Sequence, residues 1–345
     1  MDTWKPTGVS FSGGGARAGG HFGVLTHLLK CKMLDRVRNW YGCSAGSFAA
    51  IIGAIGGSST WIHDLVQHFD MSVFAGVDDE ILIDFQNSLG VNSGNRLIAF
   101  LSKFIDTWEP GCSRWTFAEL AKKRPESALH ITATNLTRGR HEVFNHLTTP
   151  NTLIVDAARA SCAIPFYFTP WRNAEGDLFC DGGVIETYPW NHVIDKDNTL
   201  VVICSDIDVC GRPEKRAITS FADYMGAINN IIAKNKTIEA PRHWIAVNNS
   251  SVGFMDFHIS VEIRRILYNE GVAAAAAWNA FRQKAVQSGT PGSPPRCAAR
   301  RTLSSVHPSP DKTSGSHQSQ TPPPPPCRTR DSRSDRSRGG RRWSL

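Results

Sequence analysis

The sequence predicts an α/β protein with a mostly parallel central sheet, and three observations predict it. Short β-branched and aromatic runs alternate with amphipathic stretches through residues 8–285, the pattern of a sheet covered on both faces. A glycine cluster, Gly13-Gly14-Gly15, stands between the first strand-like run and the first helical stretch. A second small-residue turn, Gly42-Cys43-Ser44-Ala45-Gly46, follows the second run and leads into an apolar stretch, which is the setting of a nucleophile elbow.

The elements follow in order. Gly8–Ser12 reads as a short strand, and Phe22, Leu25, Leu28 and Leu29 have the spacing of a helix over His21–Met33. Arg38–Tyr41 reads as the second strand and Phe48–Ile55 as the apolar helix behind the turn. Further strands are expected at Ala128–Ala133, His141–Phe144, Asp177–Cys180, Thr199–Cys204 and Trp244–Val247. Helices are expected at Thr60–Phe69, Gly94–Phe104, Thr116–Lys122, Leu153–Ser161, Ile218–Lys234 and Val261–Arg282. No internal repeat interrupts this alternation.

Composition breaks at Ser288, dividing the chain into a folded region, 1–287, and a tail, 288–345. The tail is rich in Pro, Ser and Arg and nearly free of large aliphatics. It cannot bury enough apolar surface to offset chain entropy and is expected to be disordered. It holds eleven basic residues against three acidic ones, a net +8 that exceeds the +7 of the whole chain. Residues 1–287 therefore sit at −1, which gives the folded region no electrostatic footprint for nucleic acid. The tail's five-proline run and its arginines suit an SH3-like partner or an anionic membrane.

The 41% hydrophobic content is ordinary for a globular protein, and no run of eighteen apolar residues offers a spanning helix. The N-terminus lacks the basic-then-apolar pattern of a secretory signal. Nine cysteines, an odd number with no CxxC pair, fit reduced thiols in a cytoplasmic setting. No ligand cluster with metal-site spacing is apparent along the chain, so neither a metal nor a cofactor is expected.

Three segments carry chemistry. In Gly42–Gly46, a serine on so sharp a turn needs small neighbours, and Gly42 and Gly46 remove the Cβ atoms that would collide there. In Gly13-Gly14-Gly15-Ala16-Arg17, free backbone N–H groups gather near a helix start, where they suit a phosphate or an oxyanion. A P-loop is excluded because no Gly-Lys-Ser/Thr follows. Gly13, Gly15 and Ala18 do fit a dinucleotide fingerprint. That fold wants an acidic residue closing the second strand, but Asp35 precedes the strand and Ser44 follows it. Gly15 and Ser44 lie one β-α-β unit apart, so a right-handed crossover brings both loops to one sheet edge. The third segment is Leu178-Phe179-Cys180-Asp181-Gly182-Gly183, a strand ending in an aspartate. Alone, this Asp-Gly pair reads as a hairpin turn.

In this order the three segments resemble the patatin-like phospholipase family, whose pattern is G-G-G-x-R/K-G, then G-x-S-x-G, then D-G-A/G. The stretch Ile131–Arg140 is similar to the family's strand turn, and Ala158–Pro165 to its A-x-x-A-S-x-A-x-P segment. The similarity covers residues 7–285, with Ala18 standing where the family usually has glycine.

The resemblance implies a three-layer α/β/α fold and a Ser44–Asp181 dyad without histidine. It further implies oxyanion donors from Gly13, Gly14 and Gly15, and supporting roles for Arg17, Gly42, Gly46, Gly182 and Gly183. Arg17 either fixes the glycine loop or meets a phosphate head group. The implied activity is hydrolysis of phospholipid or neutral-lipid esters, in lipid degradation, by a protein peripherally associated with membranes or lipid droplets.

Two alternatives stand beside this reading. One is a conventional Ser-His-Asp esterase, for which His192 and His243 are the best partners. The other is a catalytically silent lipid-binding or scaffold protein. His21 and Cys43 read as structural, and the aromatic run Phe166-Tyr167-Phe168 with Trp171 reads equally as pocket wall or core. The Val66–Glu119 region is expected to cap the site.

Overall fold

The computed structural model describes residues 4–68, 70–205, 241–249 and 251–288, with positions 218, 224, 227 and 228. The chain runs through β1 (Gly8–Phe11), α1 (Ala18–Lys30), β2 (Asn39–Cys43), α2 (Ala45–Ala54) and α3 (Ser59–His68). The middle holds α4 (Asp79–Ile83), α5 (Phe85–Ser88), β3 (Gly90–Asn92), α6 (Asn95–Asp106) and α7 (Phe117–Lys123). Then follow β4 (Ala128–Asn135), β5 (Arg140–Phe144), α8 (Ile154–Ser161), β6 (Phe166–Phe168), β7 (Trp171–Arg172) and β8 (Leu178–Asp181). The last described elements are β9 (Thr199–Ser205), β10 (His243–Asn248) and α9 (Val261–Ser288).

The main sheet has the order β10-β9-β1-β2-β4-β8-β7, with β5 also on β4. The first five of these strands are parallel, while β5, β8 and β7 join antiparallel. β1 and β2 are direct parallel neighbours joined through α1, so the loops after both strands open on one sheet edge.

Side-chain alternation splits the sheet into two faces. Trp40, Leu200, Val202, Ile245 and Val247 join the main core with the helices, whereas Tyr41, Val201, Ile203 and Trp244 pack against Trp190 and Val193. Among the described residues, the second face is thus covered by the irregular 188–193 segment. Of the helix expected at Ile218–Lys234, positions 218, 224, 227 and 228 are described, the last three as helical, and the rest lies outside the described residues, as does the tail beyond Ser288.

α1 begins three residues before its expected start, inside Ala18-Gly19-Gly20. Glycine is a poor helix former, but here it lets α9 pack in contact with α1. A Cβ on Gly23 would lie 2.0 Å from the Tyr268 carbonyl oxygen, and one on Gly271 would lie 2.1 Å from that of Gly20. Tertiary packing overrides propensity at this seam.

The strands β3 and β6 form a separate two-stranded sheet, Gly90 opposite Phe166, that was not anticipated. At three residues each they carry no readable period.

Candidate active site

The register of β4 brings the expected serine and aspartate together. Cys43, the last residue of β2, pairs with Thr132, and Asp181, the last residue of β8, pairs with Ala133. β5 occupies the other edge of β4 over the same residues. β2 and β8 must therefore share one edge of β4, arriving from opposite directions and meeting end to end. Ser44 and Asp181 sit at that junction, and Ser44 Oγ donates to Asp181 Oδ2 at 2.6 Å. That is the length of a hydrogen bond to a carboxylate.

Both groups are held from several sides. Ser44 has φ 50° and ψ −128°, a strained conformation for a non-glycine residue. Its N–H donates to Ser161 Oγ at 2.7 Å, and its carbonyl accepts from Ser47 Oγ at 2.6 Å and Ser47 N at 2.8 Å. Ser161 in turn donates to the Thr132 carbonyl at 2.6 Å, locking the elbow to β4. Asp181 Oδ1 accepts from Gly183 N at 2.7 Å, its N–H donates to Ala163 O, and its carbonyl accepts from Thr134 Oγ1. Gly42 and Gly46 are required by space. A Cβ on Gly46 would lie 2.4 Å from the Phe11 carbonyl oxygen, and one on Gly42 would lie 2.6 Å from Ser47 Cα.

The glycine loop lies against the serine, since a Cβ on Gly13 would be 3.5 Å from Ser44 Cβ. Its three N–H groups are not equivalent. That of Gly13 donates to the Thr187 carbonyl at 2.8 Å. Those of Gly14 and Gly15 have no acceptor among the described residues. Arg17 is 2% exposed, and its Nε donates to the Val252 carbonyl at 2.8 Å, tying the loop to the segment before α9. Ala18 adopts φ −49° and ψ −30°, ordinary helical values, so alanine costs no backbone strain there.

A small, half-open apolar cavity lies at Ser44 and is lined by Phe48, Met71, Leu97, Ile164, Phe168 and Phe257 among others. Met71 and Leu97 come from the region expected to cap the site. The aromatic run divides. Phe168 lines the cavity, while Tyr167 is buried with its hydroxyl accepting from Gly76 N. Phe166 is exposed, and Trp171 packs on Phe144 and Phe179. Cys162 also lines the cavity, and burial pushes its thiol up to about 12, so it stays neutral beside the serine. Cys43 points elsewhere, its thiol donating to the Glu186 carbonyl at 3.4 Å.

A model of the patatin-like phospholipase family matches residues 9–194, more than half of the chain and inclusive of both strand ends. The chain belongs to the patatin-like phospholipase family. Among relatives of this patatin-like chain is an uncharacterized protein of Acanthamoeba polyphaga mimivirus, 24% identical over 76% of this chain and 90% of its own length. Another, described as a probable lipid hydrolase of Invertebrate iridescent virus 6, is 27% identical over 51% of this chain. The match spans only 59% of that viral protein. The fold is similar to that of VipD from Legionella pneumophila, with a TM-score of 0.52 at 16% identity, covering 80% of this chain and 67% of that one.

The histidines weighed as triad partners stand elsewhere in the patatin-like fold. His243 lies on β10, three strands from β2 and so about 14 Å away along the sheet, with its ring 4.0 Å from that of Trp4. His192 faces His141, their rings 5.0 Å apart. His21 is fully buried, with Nε2 2.8 Å from the Ser12 carbonyl and Nδ1 3.4 Å from Cys204 Sγ. Burial lowers its pKa to about 4.

Two features had no signal in the linear sequence. Ser161 belongs to the family-like 158–165 segment, but its bond to Ser44 N spans 117 positions. Likewise, chain spacing showed no metal-ligand cluster, yet the fold gathers ligand atoms of His141, Glu186 and His192 within 4.8 Å of one another. The six described cysteines are thiols outside any disulfide, and no described helix is long and apolar enough to cross a membrane.

Proposed function

We propose that the chain hydrolyses the carboxylic ester of a lipid acyl chain, with Ser44 as nucleophile and Asp181 as general base. The observation that carries this is the 2.6 Å Ser44 Oγ to Asp181 Oδ2 contact at the mouth of an apolar cavity. Asp181 takes the Ser44 proton as Oγ attacks the ester carbonyl, and the proton passes to the departing alcohol. A water molecule, deprotonated by Asp181, then releases the fatty acid from the acyl-enzyme. Aspartate is a weak base at its free pKa of about 3.9, so the step depends on closeness and on a partly dry site. Asp181 is 5% exposed, which supports that condition.

The oxyanion is assigned to the N–H groups of Gly14 and Gly15, because that of Gly13 already has an acceptor. Ala45, which lines the same cavity, adds the positive end of α2. The acyl chain occupies the apolar cavity, leaving a phospholipid or neutral-lipid head outside it. Arg17, buried and bonded to backbone, acts by anchoring the glycine loop. Substrate access takes place at a membrane or lipid-droplet surface.

Initial rates on a water-soluble ester and on mixed lipid vesicles test this reading. Ser44→Ala should be inactive and Asp181→Asn should lose about 10²–10⁴-fold, the usual worth of general-base help. Ester hydrolysis by Asp181→Asn near the unmutated rate, with His192→Ala or His243→Ala as inactive as Ser44→Ala, would replace the dyad by a triad.

A further inference from the structure

His141, Glu186 and His192 form a cluster that the hydrolytic site does not use. His141 projects from β5, and the other two belong to the segment that leads away from Asp181. The Glu186 side chain is 2% exposed, and among the described residues no lysine or arginine pairs with it. Among the described residues its carboxylate accepts from Asn191 N alone, at 3.1 and 3.4 Å, and faces His141 Nδ1 at 3.4 Å. A buried carboxylate needs a stronger counter-charge than one backbone N–H.

Two distances favour an ion over a direct bond. A charge-assisted N–H to carboxylate bond is about 2.7–2.9 Å long, shorter than the 3.4 Å found. Two ligands on a tetrahedral ion, each about 2.05 Å from it, stand about 3.3 Å apart. His192 completes the set within 4.8 Å. The His141 side chain is 9% exposed, and its Nε2 is buried without a hydrogen-bond partner. Nε2 is the far nitrogen of the ring; Nδ1, the one turned to Glu186, is the atom placed to ligate. Two imidazoles and a carboxylate are a donor set that suits zinc.

We propose that His141, Glu186 and His192 bind a divalent transition-metal ion of the zinc type. Its consequence lies in the backbone around it. The Glu186 carbonyl accepts from Cys43 Sγ, next to Ser44, and the Thr187 carbonyl accepts from Gly13 N. An ion held by Glu186 and His192 on one side and His141 on the other clamps residues 186–192 to β5. It thereby braces the segment on which both the elbow and the glycine loop lean, without touching Ser44. The inference stands independently of which residue is the nucleophile.

The test uses the full chain and zinc or cobalt(II) alone as probe. Calorimetric titration should show one more bound equivalent in the unmutated protein than in His141→Ala or Glu186→Gln. Zinc should raise the Tm of the unmutated protein and of Ser44→Ala by several degrees, and leave those two variants unmoved. X-ray absorption of the zinc-loaded unmutated protein should show a nitrogen and oxygen shell containing two imidazoles, which decides the matter even if a variant does not fold. Equal stoichiometry and affinity in the unmutated protein and the variants, a sulfur-dominated shell, or no rise in Tm would each overturn the proposal.

Discussion

Replacing Ser161 by alanine removes one oxygen that serves two buried backbone groups at once. Its hydroxyl accepts from Ser44 N at 2.7 Å and donates to the Thr132 carbonyl at 2.6 Å. Ser161 is 0% exposed, so water does not replace it without rearrangement. Leaving a buried donor or acceptor unmade costs about 1–3 kcal/mol each. The Ser44 N–H is counted in full and the Thr132 carbonyl, with its second lone pair, in part, so the loss comes to about 2–4 kcal/mol. The cost is also local. The backbone of Ser44 carries strain of about 1–3 kcal/mol, and Ser161 is one of the two residues that hold it there. Released, Ser44 Oγ moves off the line to Asp181, and a shift of about 1 Å costs roughly 10²-fold in rate. Urea unfolding and kcat on a water-soluble ester read the two effects separately. A Ser161→Ala protein within about 0.5 kcal/mol of the parent and with unchanged kcat would refute the reasoning.

Three further outcomes follow from the same geometry. Gly46→Ala sets a Cβ 2.4–2.5 Å from the carbonyl oxygens of Phe11 and Ser12, so differential scanning calorimetry should show a loss of about 1–3 kcal/mol or more, with activity falling alongside. His21 is neutral in the fold, with a pKa lowered to about 4 from 6.5 by burial. The unfolded chain therefore takes up this proton first as pH falls. Stability should be full above pH 6.5 and decline towards pH 4 by up to about 3 kcal/mol, and His21→Gln should flatten that slope in urea titrations at stepped pH. Leu97→Trp narrows the apolar cavity, so kcat/KM for long-chain esters should drop at least tenfold while short-chain esters are spared.

The fold and the segments that bring Ser44 to Asp181 were legible because each leaves a local mark. The β1–β2 unit, the Gly42–Gly46 turn and the Asp181-Gly182 step are all written in contiguous residues, and backbone sterics act over that same range. What was not legible depends on register between distant segments. The Ser161 bond, the use of Gly13 N–H by Thr187 and the His141–Glu186–His192 cluster each join residues tens to hundreds of positions apart. The early start of α1 was hidden for another reason. Its glycines read as loop by propensity, yet they are there to seat α9. The short strands β3, β6 and β7 lie below the length at which alternation is readable.

The dyad is tested most directly by its first chemical step, read without turnover. A long-chain alkyl fluorophosphonate reacts with an activated serine and stops there, leaving a phosphonylated protein whose site is found by peptide mass spectrometry. One adduct is expected, on Ser44, with a labelling rate that falls about 10²–10⁴-fold in Asp181→Asn and stays near the parent rate in His243→Ala. An adduct on any other residue, or an Asp181→Asn protein labelled as fast as the parent, would contradict the account.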